Sequence, residues 1–269
     1  MVDSSRRRSS RRDVLTNHNR CWIWGRHVVL ETLRAGHWPI LELLIGDRAD
    51  DVLWDEAVRL AKLHGIAAVA MDDATLTKAC HSGDHQGMAA RMAPFPYATV
   101  DQLLGELPAN AMLVVLDRLQ DPFNFGAIVR SASTLGLDGI VIGQKEQVEV
   151  NSLVARCSAG AVNHIAIAST DDLVQTVDAL RERGFQIVAA SEKADIPLYE
   201  SNFHQPTVVI IGNEGRGIRP ELLARCDRSL SIPMSGPVGS LNAAVAAGVL
   251  FYEMRRQRLT VHSGRPVTP

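Results

Sequence analysis

Unbroken apolar runs of strand length alternate with stretches of helical spacing along the second half of this chain. Leu113–Leu116, Ile140–Ile142 and Val208–Ile211 contain no polar residue, and Asn163–Ala168, Gln186–Ala190 and Ser229–Ile232 are of similar length. A strand with no polar face is one that other elements cover on both sides, as in parallel sheets. Helical spacing falls between several of them, over Phe125–Leu135, Asp171–Arg183 and Arg219–Arg225, and a last helix over Leu241–Gln257 closes the pattern. Asp171-Asp172 puts negative charge where a helix N-terminus favours it. This rhythm predicts an α/β domain built on a parallel sheet.

The first half carries a smaller unit of the same class. Gly25–Arg34 has helix spacing with Val28, Leu30 and Leu33 inward. Ile40–Ile45 reads as a strand, and Val52–Leu63 as a helix with Trp54, Val58 and Leu60–Leu63 inward. Ile66–Ala70 is a second strand, and a short helix over Asp73–Ala79 follows it. Gly83, Gly87 and Pro94-Phe-Pro96 mark an exit, and a weak helix near Val100–Leu107 precedes Pro108. The expected organisation is a disordered basic tail at 1–20, an α/β unit at 21–93, a linker at 94–110, a larger α/β domain at 111–258 and a flexible tail at 259–269.

Charge changes this picture little in sum and more in distribution. The net charge is −2 over 269 residues, yet residues 1–20 hold six Arg against two Asp, and residues 255–269 hold four Arg and no acid. Each end is thus +4, which leaves −10 for the 234 residues between. Such ends are suited to touching polyanions, and equally to keeping a chain in solution. No window resembles a membrane span. The N-terminal arginines precede no apolar stretch, which does not read as a secretory signal. Cys21, Cys80, Cys157 and Cys226 are dispersed with no C-x-x-C pair, which fits reduced thiols in a cytoplasmic protein. Cys80-His81 with Asp84 and His85 matches no zinc spacing, so no metal is expected.

Candidate chemistry lies just past two of the apolar runs. Asn124-Phe-Gly-Ala-Ile-Val-Arg130 follows Met112–Leu116, and Gly212-Asn-Glu-Gly-Arg-Gly217 follows Val208–Ile211. In open α/β sheets that is where ligands bind. No G-x-x-x-x-G-K-[ST] is present, and the glycines have the wrong spacing for G-x-G-x-x-G, which excludes a P-loop and disfavours a dinucleotide site. A third segment, Ile232-Pro-Met234 through Ser240-Leu-Asn242 into a small-residue helix ending near Tyr252-Glu253, completes a set in fixed order.

Together these three segments resemble the signature of the SpoU (TrmH-like) ribose 2′-O-methyltransferases, and within them the 23S rRNA guanosine 2′-O-methyltransferases. Trp24-Gly-Arg-His27 and His85-Gln-Gly87 are similar to that subgroup's substrate-binding domain. The resemblance implies an N-terminal L30e-like α/β domain and a C-terminal SPOUT trefoil-knot methyltransferase domain, an exception to the rule against threaded chains. It also implies an isologous homodimer. Gly212, Ile232, Met234 and Leu241 are then expected at S-adenosylmethionine. Asn124, Arg130, Glu214, Ser240 and Asn242 fall on the catalytic positions, and Arg26, His27, Arg216 and Arg219 are expected to meet RNA. Gly239 departs from the small polar residue common before Ser-Leu-Asn.

The implied reaction moves a methyl group from a sulfonium to a ribose hydroxyl of 23S rRNA, with no metal and no membrane. Arg130 is the centre of that expectation, and two roles compete. The resemblance suggests that it takes the hydroxyl proton. The permanent charge of arginine favours a clamp on substrate phosphate that stabilises the developing alkoxide. A tRNA ribose methyltransferase, an antibiotic-resistance rRNA methyltransferase and a non-catalytic RNA-binding assembly factor are the alternatives, the last separable by donor titration.

Overall fold

A computed structural model of the protein describes residues 22–47, 50–237 and 239–263, so the expected basic tail at 1–20 and residues 264–269 lie outside the described residues. The chain divides into two compact units. One takes in the described residues up to Pro96 together with Glu149–His164, and the other Tyr97–Val148 with Ile165 onward.

The first unit has a four-stranded sheet of order β1 (Trp22–Trp24), β4 (Met88–Met92), β2 (Ile40–Gly46) and β3 (Ala68–Met71). Strand β4 pairs antiparallel with both β1 and β2, and β2 with β3 is parallel. Helices α1 (Arg26–Ala35), α2 (Asp51–Leu63) and α3 (Asp73–Cys80) accompany it. Asp50 and Asp72 cap α2 and α3 through their side-chain oxygens. The expected inward face of α2 needs correction. Leu53, Ala57, Leu60 and Ala61 are buried, Trp54 is half-buried and Leu63 is exposed. At about 100° per residue the first set spans roughly 100° of arc, and Leu63, in the last turn, falls outside it.

Two further differences concern the domain limits. The segment Glu149–His164, expected inside the larger domain, packs with the first unit and carries helix α6 (Ser152–Cys157). Its Arg156 guanidinium sits 5.1 Å over the Trp24 ring, Asn163 Nδ2 donates to Thr32 Oγ1 at 3.0 Å, and His164 Nε2 meets Glu31 Oε1 at 2.7 Å. The 94–110 stretch is also more than a linker. Helix α4 (Val100–Glu106) buries Leu103 and Leu104 in the second unit's core, and Thr99 and Gln102 form a capping box at its start.

The second unit holds a seven-stranded sheet of order β7 (Ile167–Thr170), β6 (Gly139–Gly143), β5 (Met112–Leu116), β10 (Thr207–Ile211), β8 (Gln186–Ala190), β11 (Arg228–Ser231) and β9 (Ile196–Pro197). Every pairing is parallel. Strands β5 and β10 lie at its centre with all five residues of each buried, as their apolar runs require. One layer packs Leu113, Val115, Val208 and Ile210 against α4 and against Val177 and Leu180 of α7 (Leu173–Glu182).

Helices α5 (Pro122–Leu135) and α9 (Ala243–Ser263) pack side by side in the same direction, Asn242 meeting Asn124 and Gly248 facing Ser131 further along. Helix α9 runs through 259–263, which were expected in a flexible tail. The expected strand Asn163–Ala168 starts only at Ile167, and the expected helix Arg219–Arg225 shortens to α8 (Pro220–Leu223). Phe251 of α9 is fully buried. Phe251→Ala is expected to lower unfolding free energy by about 3–5 kcal/mol, read as a fall in the urea midpoint at constant m.

Candidate active site

A cleft of about 600 Å3 opens at the C-terminal ends of β8, β10 and β11. That volume lies in the range of small-molecule and cofactor sites, and the position is the one where parallel sheets bind ligands. Its apolar wall includes Ile211, Ile218, Leu230, Ile232, Leu241 and Leu250, and its polar lining includes Glu192, Lys193, Glu214, Arg216, Ser240 and Asn242. Gly212 and Met234 line it as well, so all four residues expected at the donor are on its wall.

The loop after β10 is a small closed ring. Asn213 and Gly217 exchange two backbone hydrogen bonds at 2.9 and 3.1 Å, and Asn213 Oδ1 accepts the amides of Gly215 and Arg216. Gly217 closes the ring with φ +68°, a conformation that glycine adopts without a Cβ penalty. Gly212 is required for space. A Cβ there would lie 2.3 Å from the carbonyl carbon of Gly217 and from the amide nitrogen of Ile218.

Three side chains from three distant segments form one hydrogen-bonded line. Asn124 Nδ2 donates to Glu214 Oε1 at 3.0 Å, and Asn242 Nδ2 donates to Asn124 Oδ1 at 2.8 Å. Asn242 Oδ1 then accepts the amides of Ala244 and Val245 and so caps α9. Asp121 performs the same service for α5, accepting Phe123 N and Asn124 N, with Pro122 at the first helical position. The carboxylate at one end fixes which way both amides point, because Asn124 must turn its NH2 toward Glu214. Asn124→Asp would set a second acceptor where a donor is needed. Its expected cost is about 1–3 kcal/mol at neutral pH, measured by chemical denaturation against Asn124→Ala.

Arg130 stands apart. It is exposed, two turns beyond Asn124 on α5, and is not among the residues that line the cleft. At intervals of four and three residues it shares a helix face with Phe123, which is 59% exposed, and Ala127. Val245, Val249 and Tyr252 are exposed on α9, the helix that packs against α5. Arg216 lines the cleft and reaches Glu146 at 3.6 Å, a solvent-exposed pair of little energetic weight. Arg219 does not line the cleft; its guanidinium and its backbone amide are both bound to Asp117. Arg26 and His27 are exposed at the start of α1 in the first unit, where Gln86 Oε1 accepts the Arg26 amide.

Sequence reasoning missed Ser191, Glu192 and Lys193, which line the cleft after β8. Their position past a buried strand was the available signal. Glu253 of the third segment is a structural residue. Its carboxylate takes Arg256 at 2.7 Å and Gln257 at 2.8 Å, and the Arg256 guanidinium holds it below the usual carboxylate range.

Residues 111–252 match the model of the SpoU rRNA Methylase family, and residues 22–98 match that of the RNA 2′-O ribose methyltransferase substrate-binding domain. The chain belongs to the SpoU methylase family. An uncharacterized tRNA/rRNA methyltransferase of Mycolicibacterium gilvum is 38% identical over 240 residues, covering 88% of this chain and 76% of that protein. The crystal structure of the SpoU methyltransferase AviRb from Streptomyces viridochromogenes with AdoMet (S-adenosylmethionine) is 27% identical. It superposes at TM-score 0.77, covering 91% and 93% of the two chains. The A. aeolicus TrmH/SpoU tRNA modifying enzyme is 30% identical at TM-score 0.53, covering 63% of this chain and 86% of that one.

This SpoU methylase is therefore an S-adenosylmethionine-dependent RNA 2′-O-methyltransferase, with an N-terminal substrate-binding domain and a SPOUT-type methyltransferase domain. The cleft suits the donor. Apolar side chains offer a surface for a flat base, the Ser191 and Ser240 hydroxyls and the Glu192 and Glu214 carboxylates offer partners for sugar and amino-acid groups, and the volume is adequate. Bound there, S-adenosylmethionine supplies a methyl group already activated by a positively charged sulfur. Burial pushes the Cys80 and Cys226 thiols up to about 11, so both stay protonated at neutral pH. No group of His, Cys, Asp and Glu that could hold a metal occurs among the described residues, and no described helix is long and apolar enough to cross a membrane.

Proposed function

We propose that this methyltransferase modifies the ribose of a guanosine in 23S ribosomal RNA, in the cytoplasm, as an isologous homodimer. The observation that carries the rRNA reading is the two-part layout. Residues 111–252 match the SpoU rRNA Methylase family and residues 22–98 a substrate-binding domain, whereas the alignment with the A. aeolicus tRNA modifying enzyme spans only 63% of this chain. Arg26 and His27, exposed at the start of α1, are proposed RNA contacts of the first unit, and Arg216 of the second. A tRNA substrate is the second reading, supported by the similarity of the second unit to the A. aeolicus TrmH/SpoU tRNA modifying enzyme.

The position of Arg130 supports homodimerisation. An arginine proposed as catalytic yet outside its own cleft, on a face shared with exposed Phe123, fits a second copy covering that face, and Val245, Val249 and Tyr252 are exposed on the neighbouring helix α9. Arg130 would then serve the partner's cleft. Glu214, Asn124 and Asn242 hold the acceptor side of the site, and Ser240 offers a hydroxyl to the ribose. The transfer needs acceptor oxygen, methyl and sulfur in line and a route for the hydroxyl proton. Arg130, charged at all working pH, holds a substrate phosphate and favours the developing alkoxide while water takes the proton.

The test maps ribose methylation in cells lacking the gene, by reverse-transcriptase stops at low nucleotide concentration. Loss of one stop at a guanosine of 23S rRNA is expected. Loss of a stop in tRNA instead overturns the rRNA reading.

A further inference from the structure

A buried ion pair behind the donor cleft has no part in the chemistry described so far. Asp117 follows β5 directly and is fully buried. Its Oδ2 accepts the Arg219 amide at 2.8 Å, and its Oδ1 accepts Arg219 Nε at 2.7 Å with Nη2 at 2.6 Å. Arg118 Nε stands 3.4 Å from the same Oδ1. A carboxylate taken wholly out of water is costly unless its partners are held in good geometry, and removing one partner strands the other.

Arg219 lies two residues after Gly217, where the ring of the β10 loop ends, and Asp117 lies in the connection that leads to α5. A second tie joins the same two segments, since Asn213 Nδ2 donates to the Arg118 carbonyl at 2.9 Å. Arg118 itself takes φ +59°, a left-handed backbone that a non-glycine residue adopts only when its surroundings impose it. The ring between the two ties supplies seven consecutive residues of the cleft wall, Gly212 to Ile218. Both ends of the donor-binding loop are thus fastened to the connection that carries Asn124.

We propose that Asp117 and Arg219 are positioning residues that fix the donor-binding loop in its binding conformation and in register with α5, and that Arg219 is not an RNA contact. The pair acts through the loop backbone and touches no reacting atom. The proposal concerns donor affinity and is independent of which RNA is methylated.

The test uses the full chain without RNA, with S-adenosylmethionine binding followed by calorimetry. Arg219→Gln and Asp117→Asn are each expected to weaken binding by roughly ten- to a hundredfold, the range for loss of a charge-assisted buried contact. The double replacement Asp117→Leu with Arg219→Met keeps the fold measurable, because neither charge is then stranded. It should weaken binding to a similar extent while the urea midpoint falls by less than in either single variant. Donor affinity within about twofold of wild type in this double variant would overturn the proposal, since only a structural role for the pair would then remain. RNA binding supplies a second readout. The slope of log affinity against log salt should be unchanged in Arg219→Gln. A slope reduced by about one contact would place Arg219 on a phosphate and refute the assignment. Failure of the wild-type chain to bind the donor would contradict the donor site itself, an outcome distinct from either.

Discussion

Gly212→Ala is expected to remove measurable S-adenosylmethionine binding while leaving a folded protein. The added Cβ would sit 2.3 Å from two backbone atoms of the Gly217–Ile218 peptide, and no flexible side chain is there to give way. Relief requires the ring to open, which breaks the two Asn213–Gly217 hydrogen bonds and displaces the amides that line the cleft. Strand β10 below it is buried between β5 and β8 and its pairing does not depend on the ring, so the sheet should persist. The loss should exceed about a hundredfold in affinity, because several loop contacts move together. Calorimetric titration beside a denaturation curve separates the two effects. Retention of donor affinity would show that the ring is not part of the donor site.

Arg130→Ala is expected to do the opposite, with donor affinity kept and turnover lost. The role proposed for Arg130 is to hold a substrate phosphate, so the donor's own contacts along Gly212–Ile218 stay in place. Loss of a charged group that stabilises developing negative charge commonly costs about a hundred- to a thousandfold in rate. Single-turnover methylation with preformed donor complex reads that step directly, and a normal rate would remove Arg130 from the chemistry.

The two variants together test whether Arg130 crosses between protomers. In the proposed homodimer, co-expressed Arg130→Ala and Gly212→Ala chains would form mixed dimers. If Arg130 serves the partner, one site in each mixed dimer joins an intact ring to an intact arginine, and activity returns. Action within one chain leaves both sites of the mixed dimer dead.

Much of this was legible in the chain, for identifiable reasons. The central strands β5 and β10 carry apolar runs on both faces, as strands covered on both sides do, and the helices between such runs point to a parallel sheet. Gly212, Ile232, Met234, Ser240, Leu241 and Asn242 were recognisable as one set through their order, and they do line one cleft. Strand β4 was not read from Met88-Ala-Ala-Arg-Met92, which lacks the β-branched residues that mark strands, although β1 and β2 both pair with it. Helix α2 was misread at Leu63, because a run of apolar residues at 60–63 conceals which face turns inward.

Long-range polar pairing was the least legible part. Arg219 read as a surface cation suited to phosphate, yet its partner Asp117 lies 102 residues earlier and nothing local to either residue signals the bond. The packing of Glu149–His164 with the first unit was hidden for the same reason, since Asn163 and Thr32 are 131 residues apart. A lone residue's type gives its chemistry, and only the fold decides where that chemistry is used.

The most direct measurement incubates the purified chain with methyl-labelled S-adenosylmethionine and protein-free 23S rRNA or tRNA, then digests the RNA to nucleosides for mass spectrometry. The account predicts label in 2′-O-methylguanosine from 23S rRNA, absent when Gly212→Ala replaces the wild type. Label on a base, or none in any RNA despite donor binding, would contradict it.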